Sequence, residues 1–327
     1  MKAIVLNAYC SPDQLELGDL DQPVPGDGEV LLRVHAAGLD QGVWHVVTGL
    51  PHLVRLAGVG VRRPKAGVPG MDVAGRVEAV GANVTRFRPG DEVFGTCDGS
   101  YAEYVCAKED GLAHKPAGIT FEQAAAVPVS GFAALQGVRD KGRIRAGQKV
   151  LVIGAGGGVG TYAVQLARTF GADVTGVCSG AKADLVRSIG AGDVIDYTRE
   201  DFADGTRRYD LILDTAGNRS LSHLRRALAP RGTLVIVGAE VGGRRLGGVD
   251  RQIRAMFLSP FVPQKLAVLL SSPGPADLRT LAELIEAGKV TPVVDRTYPL
   301  AEVPEAIRYL RAGHPAGKVV IKVRDER

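Results

Sequence analysis

A run of glycines stands where a predicted strand gives way to a predicted helix, and it is the clearest chemical signal in the sequence. The segment AGGGVG, residues 155–160, follows the apolar run KVLVIG and precedes a helical pattern that closes at Gly171. Gly157 would let the backbone approach a pyrophosphate, and Gly160 would let the helix pack close to the strand. The free N–H groups of the helix N-terminus favour phosphate. A glycine turn without a ligand is the alternative, but the strand-turn-helix context favours a dinucleotide site. The residues assigned to this site are Ala155, Gly157, Gly158, Val159 and Gly160.

The next strand, DVTGVC, ends without the Asp or Glu that commonly accepts hydrogen bonds from the ribose of NAD. Ser179 supplies a hydroxyl and Lys182 a cation at this tip instead. Because like charges repel, a tip with a base and without an acid favours the 2′-phosphate of NADPH. Tyr197, at the tip of the third strand, is adjacent in a doubly wound sheet and can add a hydrogen bond. The sequence therefore predicts NADPH rather than NADH, with a solvated Lys182 as the alternative.

Two patterns of secondary structure surround these residues. Residues 1 to about 120 contain short segments rich in Val, Leu and Ile, separated by Gly, Pro and Asp, which is typical of a β-barrel or sandwich. After Thr120, an expected helix N-cap, apolar strands alternate with amphipathic helices, which predicts a parallel sheet covered on both faces. The tail, from TPVVDRTYPL to GKVVIKV, resembles the first pattern. The expected fold is α/β, with one domain of residues 1–121 and 291–327 and a nucleotide-binding domain of residues 122–290.

The composition limits the possible partners. The chain of 327 residues carries a formal net charge of +4 with both signs interspersed, which is too mild to indicate a nucleic-acid partner. No apolar run approaches the ~20 residues that span a bilayer. The start MKAIVLNAY is better explained as a strand than as a signal peptide. The four cysteines form no Cys-x-x-Cys pair, so reduced thiols and a cytoplasmic location are expected.

Eight segments with a specific order and spacing extend over nearly the whole chain. They are AAGLD, PGMDVAGRVEAVG, RPGDEVFG, AEYV, AAAVPVSG, GGGVG, LDTAG and AGHPAGKVV. Together they resemble the medium-chain dehydrogenase/reductase superfamily, most of all the zinc-independent branch that includes quinone oxidoreductases and zeta-crystallin. The resemblance implies a GroES-like β-barrel domain, a Rossmann domain with a doubly wound parallel sheet, and a cleft between them for nicotinamide and substrate.

The same resemblance bears on metal binding. The zinc alcohol dehydrogenases of the superfamily carry a Cys near the AAG segment and a Gly-His-Glu after the following loop. This sequence has Asp40 at the Cys position and Met71 at the His position. A thioether is a poor zinc ligand, and Asp40 alone cannot hold the ion. The lobe for structural zinc is also missing, because only residues 96–101 separate DEVFG from AEYV. We therefore expect no metal.

Without a Lewis acid, reduction of a polarised C=C bond or a quinone is easier than oxidation of a simple alcohol. The resemblance implies an Asn and a Tyr near the nicotinamide, and Asp40 and His45 stand at these positions. His45 can donate a proton at neutral pH, or it is a histidine at the edge of the core. Asp40 contacts ribose or nicotinamide, or it only caps the turn after its strand.

Further cofactor contacts are expected at the nicotinamide end. The carboxyl end of the fifth strand faces the cofactor crevice of a doubly wound sheet, so the backbone from Val237 and Gly238 to Glu240 is expected to touch the carboxamide. Ser130 in AAAVPVSG and Lys318 in AGHPAGKVV complete the expected contacts.

The leading functional interpretation is an NADPH-dependent, zinc-independent reductase that transfers a hydride to a quinone or an α,β-unsaturated carbonyl. A zinc-free NADP-dependent alcohol or carbonyl oxidoreductase and a non-catalytic nucleotide-binding protein are the alternatives. The expected partners are a small hydrophobic carbonyl or quinone substrate and a second copy of the chain. The apolar strand KLAVLLSS, residues 265–272, suits a sheet edge that needs covering, which predicts a homodimer. Phe257 and Phe261 would line the substrate site or the dimer seam.

Overall fold

The computed structural model describes residues 1–238, 247–313 and 315–325, which form two compact units. The first unit comprises Met1–Phe132, Pro273–Gly288 and Pro292–Arg327, and the second comprises Ala133–Ser272 and Lys289–Thr291. None of the described helices combines the length and the apolar composition that a membrane span requires.

The secondary structure follows the two predicted patterns. The described strands are β1 (Lys2–Val5), β2 (Glu16–Asp19), β3 (Glu29–Leu39), β4 (Asp72–Val80), β5 (Glu92–Thr96), β6 (Tyr104–Lys108), β7 (Leu112–His114), β8 (Lys149–Ile153), β9 (Asp173–Cys178), β10 (Asp193–Asp196), β11 (Tyr209–Asp214), β12 (Leu228–Ile236), β13 (Lys265–Val268), β14 (Val294–Pro299) and β15 (Lys318–Lys322). The described α-helices are α1 (Gln41–Thr48), α2 (Phe121–Ala125), α3 (Pro128–Gln136), α4 (Gly158–Thr169), α5 (Ala183–Ser188), α6 (Leu221–Ala227), α7 (Val249–Leu258), α8 (Pro275–Glu286) and α9 (Val303–Arg311).

The first unit is built around a sheet with β3 at its centre. Neighbouring strands run in the order β14-β15-β3-β4-β5-β7, and β6 also pairs with β3. The pairs are antiparallel except for β14 with β15. Along β3, Val30, Leu32 and Val34 pack into one buried apolar cluster, and Ala37 and Leu39 pack into a second. This unit is the β-rich domain that the short apolar segments predict, and its tail strands β14 and β15 return to it.

The second unit is a parallel sheet with the order β10-β9-β8-β11-β12-β13. In chain order this is 3-2-1-4-5-6, the doubly wound arrangement of a Rossmann domain. Its strands are continuous apolar runs: in β8, Val150 to Ile153 are all buried. The strand order reverses between β8 and β11, and ligands bind outside the carboxyl ends of the strands at such a point. The predicted α/β fold is confirmed.

Two segments belong to the first unit although the predicted domain boundaries place them in the nucleotide-binding domain. Helix α2, which Thr120 caps in a capping box with Gln123, packs on β3 and β4. Helix α8 packs on β7. Residues 122–132 and 273–288 therefore lie in the first unit, whereas the sequence assigned them to the nucleotide-binding domain. An alternation of strands and helices along the chain does not reveal which sheet an individual helix covers.

Candidate cofactor site and active site

The glycine turn lies between β8 and α4, at the carboxyl edge of the parallel sheet. Gly157 is the N-cap of α4, and no side chain caps the helix there. The first N–H groups of a helix, here those of Gly158, Val159 and Gly160, have no acceptor within the helix. A Cβ on Gly160 would lie 2.0 Å from the carbonyl oxygen of Gly154, so only glycine fits where the helix meets the strand. The turn has the open N–H groups and the close packing that a pyrophosphate site requires.

Lys182 lies against this turn. Its aliphatic stem packs on Gly156, where an added Cβ would approach Lys182 Cδ to 2.9 Å. Ala155, beside Gly156, is fully buried. Ser179 is half-buried and precedes the 3₁₀ turn Gly180–Lys182 that follows β9. The structure thus brings the predicted cation to the glycine turn before α4, and the predicted hydroxyl lies in the same loop, three residues before Lys182.

A carboxylate that the sequence analysis missed also lies at the tip of β9. Asp196, the last residue of β10, pairs in register with Cys178, the last residue of β9. Its Oδ1 accepts hydrogen bonds from the backbone N–H of Thr198 at 3.0 Å and from Thr198 Oγ1 at 2.8 Å. A Cβ on Gly180 would lie 2.7 Å from Asp196 Oδ2. The Thr198 hydrogen bonds, with a smaller contribution from the Gly180 N–H, lower the pKa of Asp196, so the carboxylate is ionised at neutral pH.

The signal for Asp196 was present in the sequence. The adjacency of the second and third strands placed Tyr197 at this tip, and Asp196 immediately precedes Tyr197. Tyr197 is 49% exposed. The guanidinium carbon of Arg219, in the loop after β11, lies 5.9 Å from the centre of the Tyr197 ring. Arg219 therefore adds a cation to this edge of the sheet that the sequence analysis did not assign.

The end of β12 is held by a buried ion pair. The N–H groups of Val237 and Gly238 donate to the carbonyl of Asp214, at 3.0 and 3.1 Å. Arg251 from α7 donates to Asp214 Oδ2 at 2.5 Å and to the carbonyl of Gly238 at 2.9 Å. Burial raises the pKa of Asp214, and the positive charge of Arg251 opposes that rise. Glu240, the far end of the predicted carboxamide contact, lies outside the described residues.

Asp40 caps α1, as one of the two alternatives foresaw. Its Oδ1 accepts a hydrogen bond from the backbone N–H of Gly42 at 2.7 Å. Its Oδ2 is buried and has no hydrogen-bond partner among the described residues. A buried carboxylate oxygen normally has a donor, so this atom is suited to accept from a bound molecule. The capping role and a ligand role therefore use different oxygens of the same side chain.

His45 lies in the last turn of α1. Its Nδ1 is 2.5 Å from the carbonyl oxygen of Leu50. A carbonyl can only accept, so Nδ1 carries the hydrogen and Nε2 is the acceptor in the neutral ring. The ring of Trp44 meets the ring of His45 edge-on, with the centres 5.1 Å apart. His45 can thus donate a proton from Nε2 only as an imidazolium, and its role as the proton donor stays a prediction.

A buried ion pair lies between β4 and β15. Lys318 Nζ is 3.2 Å from Asp72 Oδ2, and the two side chains are 2% and 0% exposed. Asp72 Oδ1 accepts from the backbone N–H of Val129 at 2.9 Å. Burial, together with the charge of Asp40, raises the pKa of Asp72 to about 6, although Lys318 acts in the opposite direction. Asp72 is not among the residues predicted for the site, and cofactor contact by Lys318 stays a prediction.

The remaining predicted cofactor residue is Ser130. It lies in α3 and is 2% exposed. Its contact with the nicotinamide stays a prediction.

Asp72 gives the stability of the protein a specific pH dependence. Its pKa of about 6 in the folded protein lies above the ordinary value of 3.8, so folding favours the protonated form. The stabilising contribution is therefore complete below about pH 4 and is lost as the pH rises through about 6. In urea unfolding across this range, the wild type should lose free energy of unfolding relative to Asp72→Asn as the pH rises. A difference that stays constant over the range would contradict the raised pKa.

A zinc ion finds no complete ligand set in the part of the chain that the structure describes. No three His, Cys, Asp or Glu side chains come together there. Asp40 Oδ1 is engaged by Gly42, and Met71 offers only a thioether. Asp72 faces the ammonium of Lys318, whose charge opposes a second cation. The residues at the two family ligand positions therefore do not fit a catalytic zinc ion.

Comparisons with known proteins agree with this architecture. A family model described as alcohol dehydrogenase GroES-like domain matches residues 26–117, and one described as zinc-binding dehydrogenase matches residues 189–321. The mouse mitochondrial NAD(P)H oxidoreductase RTN4IP1 is 34% identical over 278 residues, covering 78% of this chain and 70% of the relative. Human quinone oxidoreductase is 30% identical over 337 residues, covering 98% of this chain and 97% of the relative.

A solved structure extends the likeness to the fold. The quinone oxidoreductase from Coxiella burnetii has a TM-score of 0.82 and 28% identity, and the match covers 99% of both chains. The chain belongs to the medium-chain dehydrogenase/reductase superfamily. Within that superfamily it is similar to quinone oxidoreductases, and the predicted family is confirmed.

Proposed function

We propose that the protein is an NADPH-dependent reductase that transfers a hydride, without zinc, to a quinone or an α,β-unsaturated carbonyl. It is an NAD(P)H-dependent oxidoreductase by family, as the names of its relatives indicate. The observation that carries the finer proposal is the tip of β9, where Lys182 packs on the glycine turn and Ser179 stands in place of an acid. A cation and a hydroxyl at this tip favour a 2′-phosphate.

The proposed cofactor contacts fall into three groups. The glycine turn would hold the pyrophosphate through the N-terminus of α4, with Ala155, Gly157, Gly158, Val159 and Gly160. The tips of β9 and β10 would hold the 2′-phosphate through Ser179, Lys182 and Tyr197. The nicotinamide half would meet Ser130, Val237, Gly238 and Lys318. Each group uses a backbone or side-chain donor, which suits a ligand rich in phosphate and carbonyl oxygens.

Bound NADPH supplies a hydride to an electron-poor carbon of the substrate. Asp40 Oδ2 would accept from a hydroxyl or amide of the bound molecules, which supports an orienting role. His45 is tied to the Leu50 carbonyl through Nδ1, so its imidazolium would present the Nε2 proton to the substrate oxygen that gains negative charge. In this proposal Asp40 orients the bound molecules, and His45 transfers a proton to the substrate oxygen.

A panel of substrates with NADPH separates the possible reactions. We expect NADPH consumption with quinones and with enones, and mass spectrometry should show enone products that have lost the C=C bond and kept the carbonyl. Reduction of simple aldehydes with enones untouched would instead indicate a carbonyl oxidoreductase. Tight NADPH binding without turnover of any member would indicate a non-catalytic nucleotide-binding protein.

Metal independence is a further expected outcome. The zinc-ligand positions hold Asp40 and Met71, and the Asp72 carboxylate is already paired with Lys318. Elemental analysis of the purified protein should find no stoichiometric zinc, and a chelator should leave activity unchanged. Activity that is abolished by the chelator and restored by zinc would rule out the proposed chemistry.

A homodimer is the proposed assembly. Among the described strands, β13 stands at one of the two edges of the parallel sheet, and an edge strand favours association with a second copy. Leu270, two residues beyond β13, is 83% exposed, and Phe257 and Phe261 are 74% and 84% exposed. Light scattering at micromolar concentration should report twice the chain mass, and a monomer of 34.4 kDa would count against the pairing.

A further inference from the structure

The tip of β9 carries a negative charge that comes from its neighbour in the sheet. In a Rossmann domain the acid that binds the ribose 2′-hydroxyl normally follows the second strand in sequence. Here the second strand is β9, and the residues after it include no acid before Asp184. Asp196 reaches the same tip from β10, because the two strands are paired with Cys178 opposite Asp196. A ligand at this tip therefore meets an acidic side chain, although that side chain comes from the third strand of the sheet and not from the second.

The carboxylate is fixed in place. Thr198 donates two hydrogen bonds to Oδ1, and Gly180 leaves no room for a Cβ beside Oδ2. Arg199 Nε lies 3.8 Å from Asp196 Oδ2, and the Arg199 side chain is 84% exposed. Such an exposed pair contributes little and is screened by salt. Asp196, whose side chain is 18% exposed, therefore keeps most of its negative field at the Gly180 backbone.

We infer that Asp196 is a specificity-determining residue that opposes the 2′-phosphate and supports the 2′-hydroxyl, so that NADH is accepted beside NADPH. This inference rests on the proposed function, because it concerns the same cofactor site. Ser179 and Lys182 favour the phosphate, and Asp196 sets a limit to that preference. The opposing charges of Lys182 and Asp196 at this tip, with Arg219 beside the Tyr197 ring, give a dual-cofactor enzyme with a modest preference for NADPH.

Asp196→Asn is the informative variant. It removes the charge and keeps an oxygen that can accept from Thr198, so the turn after β10 should persist. Isothermal titration with each cofactor should show NADPH affinity rising roughly three- to tenfold, with NADH affinity unchanged or lower. The gain should shrink at high salt, because charge repulsion at this exposed edge is screened.

The matched control is Asp193→Asn at the other end of the same strand. Asp193 pairs with Arg207 at 2.6 Å and starts β10, so it lies at the opposite edge of the sheet. This variant should leave the ratio of NADPH to NADH affinity unchanged. Thermal unfolding of each variant checks folding, and Asp196→Ser, which also keeps an acceptor for Thr198, carries the same test if Asp196→Asn is unstable.

The outcomes separate this inference from the proposed function. An unchanged affinity ratio in Asp196→Asn, or equal changes for both cofactors, would show that Asp196 only caps its turn. The proposed function would then still stand if the wild type binds NADPH and reduces the substrate panel. A wild type that binds neither cofactor would overturn both.

Discussion

Lys182→Met lowers the affinity for NADPH about ten- to hundredfold and leaves the affinity for NADH nearly unchanged. A hydrogen bond to a charged group contributes about 1.5–3 kcal/mol, and each 1.4 kcal/mol corresponds to about tenfold. NADH lacks the phosphate, so the lost cation should not affect it. Methionine keeps the aliphatic stem that packs on Gly156, so the glycine turn should persist. Isothermal titration of both proteins with both cofactors measures the effect.

Lys149→Met serves as the control for Lys182. Lys149 is exposed at the start of β8, at the edge of the sheet opposite the glycine turn, so its removal should change neither affinity. Ser179→Asp should shift the affinity ratio toward NADH, because the new carboxylate repels the 2′-phosphate and accepts a hydrogen bond from the ribose. Equal losses for NADPH and NADH in Lys182→Met, or a wild type that prefers NADH strongly, would show that the 2′-phosphate is not bound at the tip of β9.

Lys318→Met lowers the free energy of unfolding by about 3–5 kcal/mol at neutral pH. Among the described residues, the substitution leaves the buried Asp72 carboxylate with only the Val129 N–H as a hydrogen-bond donor. Lys322→Met, in the same strand, is the matched control: Lys322 pairs with Asp325 at the surface, and its loss should cost at most about 1 kcal/mol. Urea unfolding of the variants measures both effects.

The double variant Asp72→Leu with Lys318→Met should recover much of the stability, because no unpaired charge remains buried. At about pH 5 the cost of Lys318→Met should be smaller than at neutral pH, since Asp72 with a pKa of about 6 is then largely protonated. If Lys318→Met and Lys322→Met lower the free energy of unfolding by the same amount, the buried ion pair between β4 and β15 contributes no more to stability than a surface pair.

The features predicted from sequence are those that neighbouring residues determine. The parallel sheet and the glycine turn follow from local patterns, and Gly160 meets Gly154 because they are six residues apart. The placement of Lys182 after the second strand of this sheet also follows from the local pattern, whereas its packing on Gly156 is seen only in the structure.

The features missed depend on which strands pair. Lys318 and Asp72 are 246 residues apart, and only the order β15-β3-β4 brings them together across Gly38. Asp196 reaches Gly180 through the register of β10 with β9. The tautomer of His45 depends on where the Leu50 carbonyl points, which no sequence pattern reveals. The cytoplasmic location stays a prediction, and the mouse relative is named mitochondrial.

The most direct test of the proposed function follows the hydride itself. NADPH carrying deuterium at the transferable position of nicotinamide C4 is mixed, in ordinary water without deuterium, with the enone that the protein reduces fastest. We expect one deuterium in the product, on the β-carbon, and one equivalent of NADPH consumed for each product molecule. A product without deuterium would contradict direct hydride transfer from NADPH, and NADPH consumption without loss of the C=C bond would contradict hydride transfer to the β-carbon of the enone.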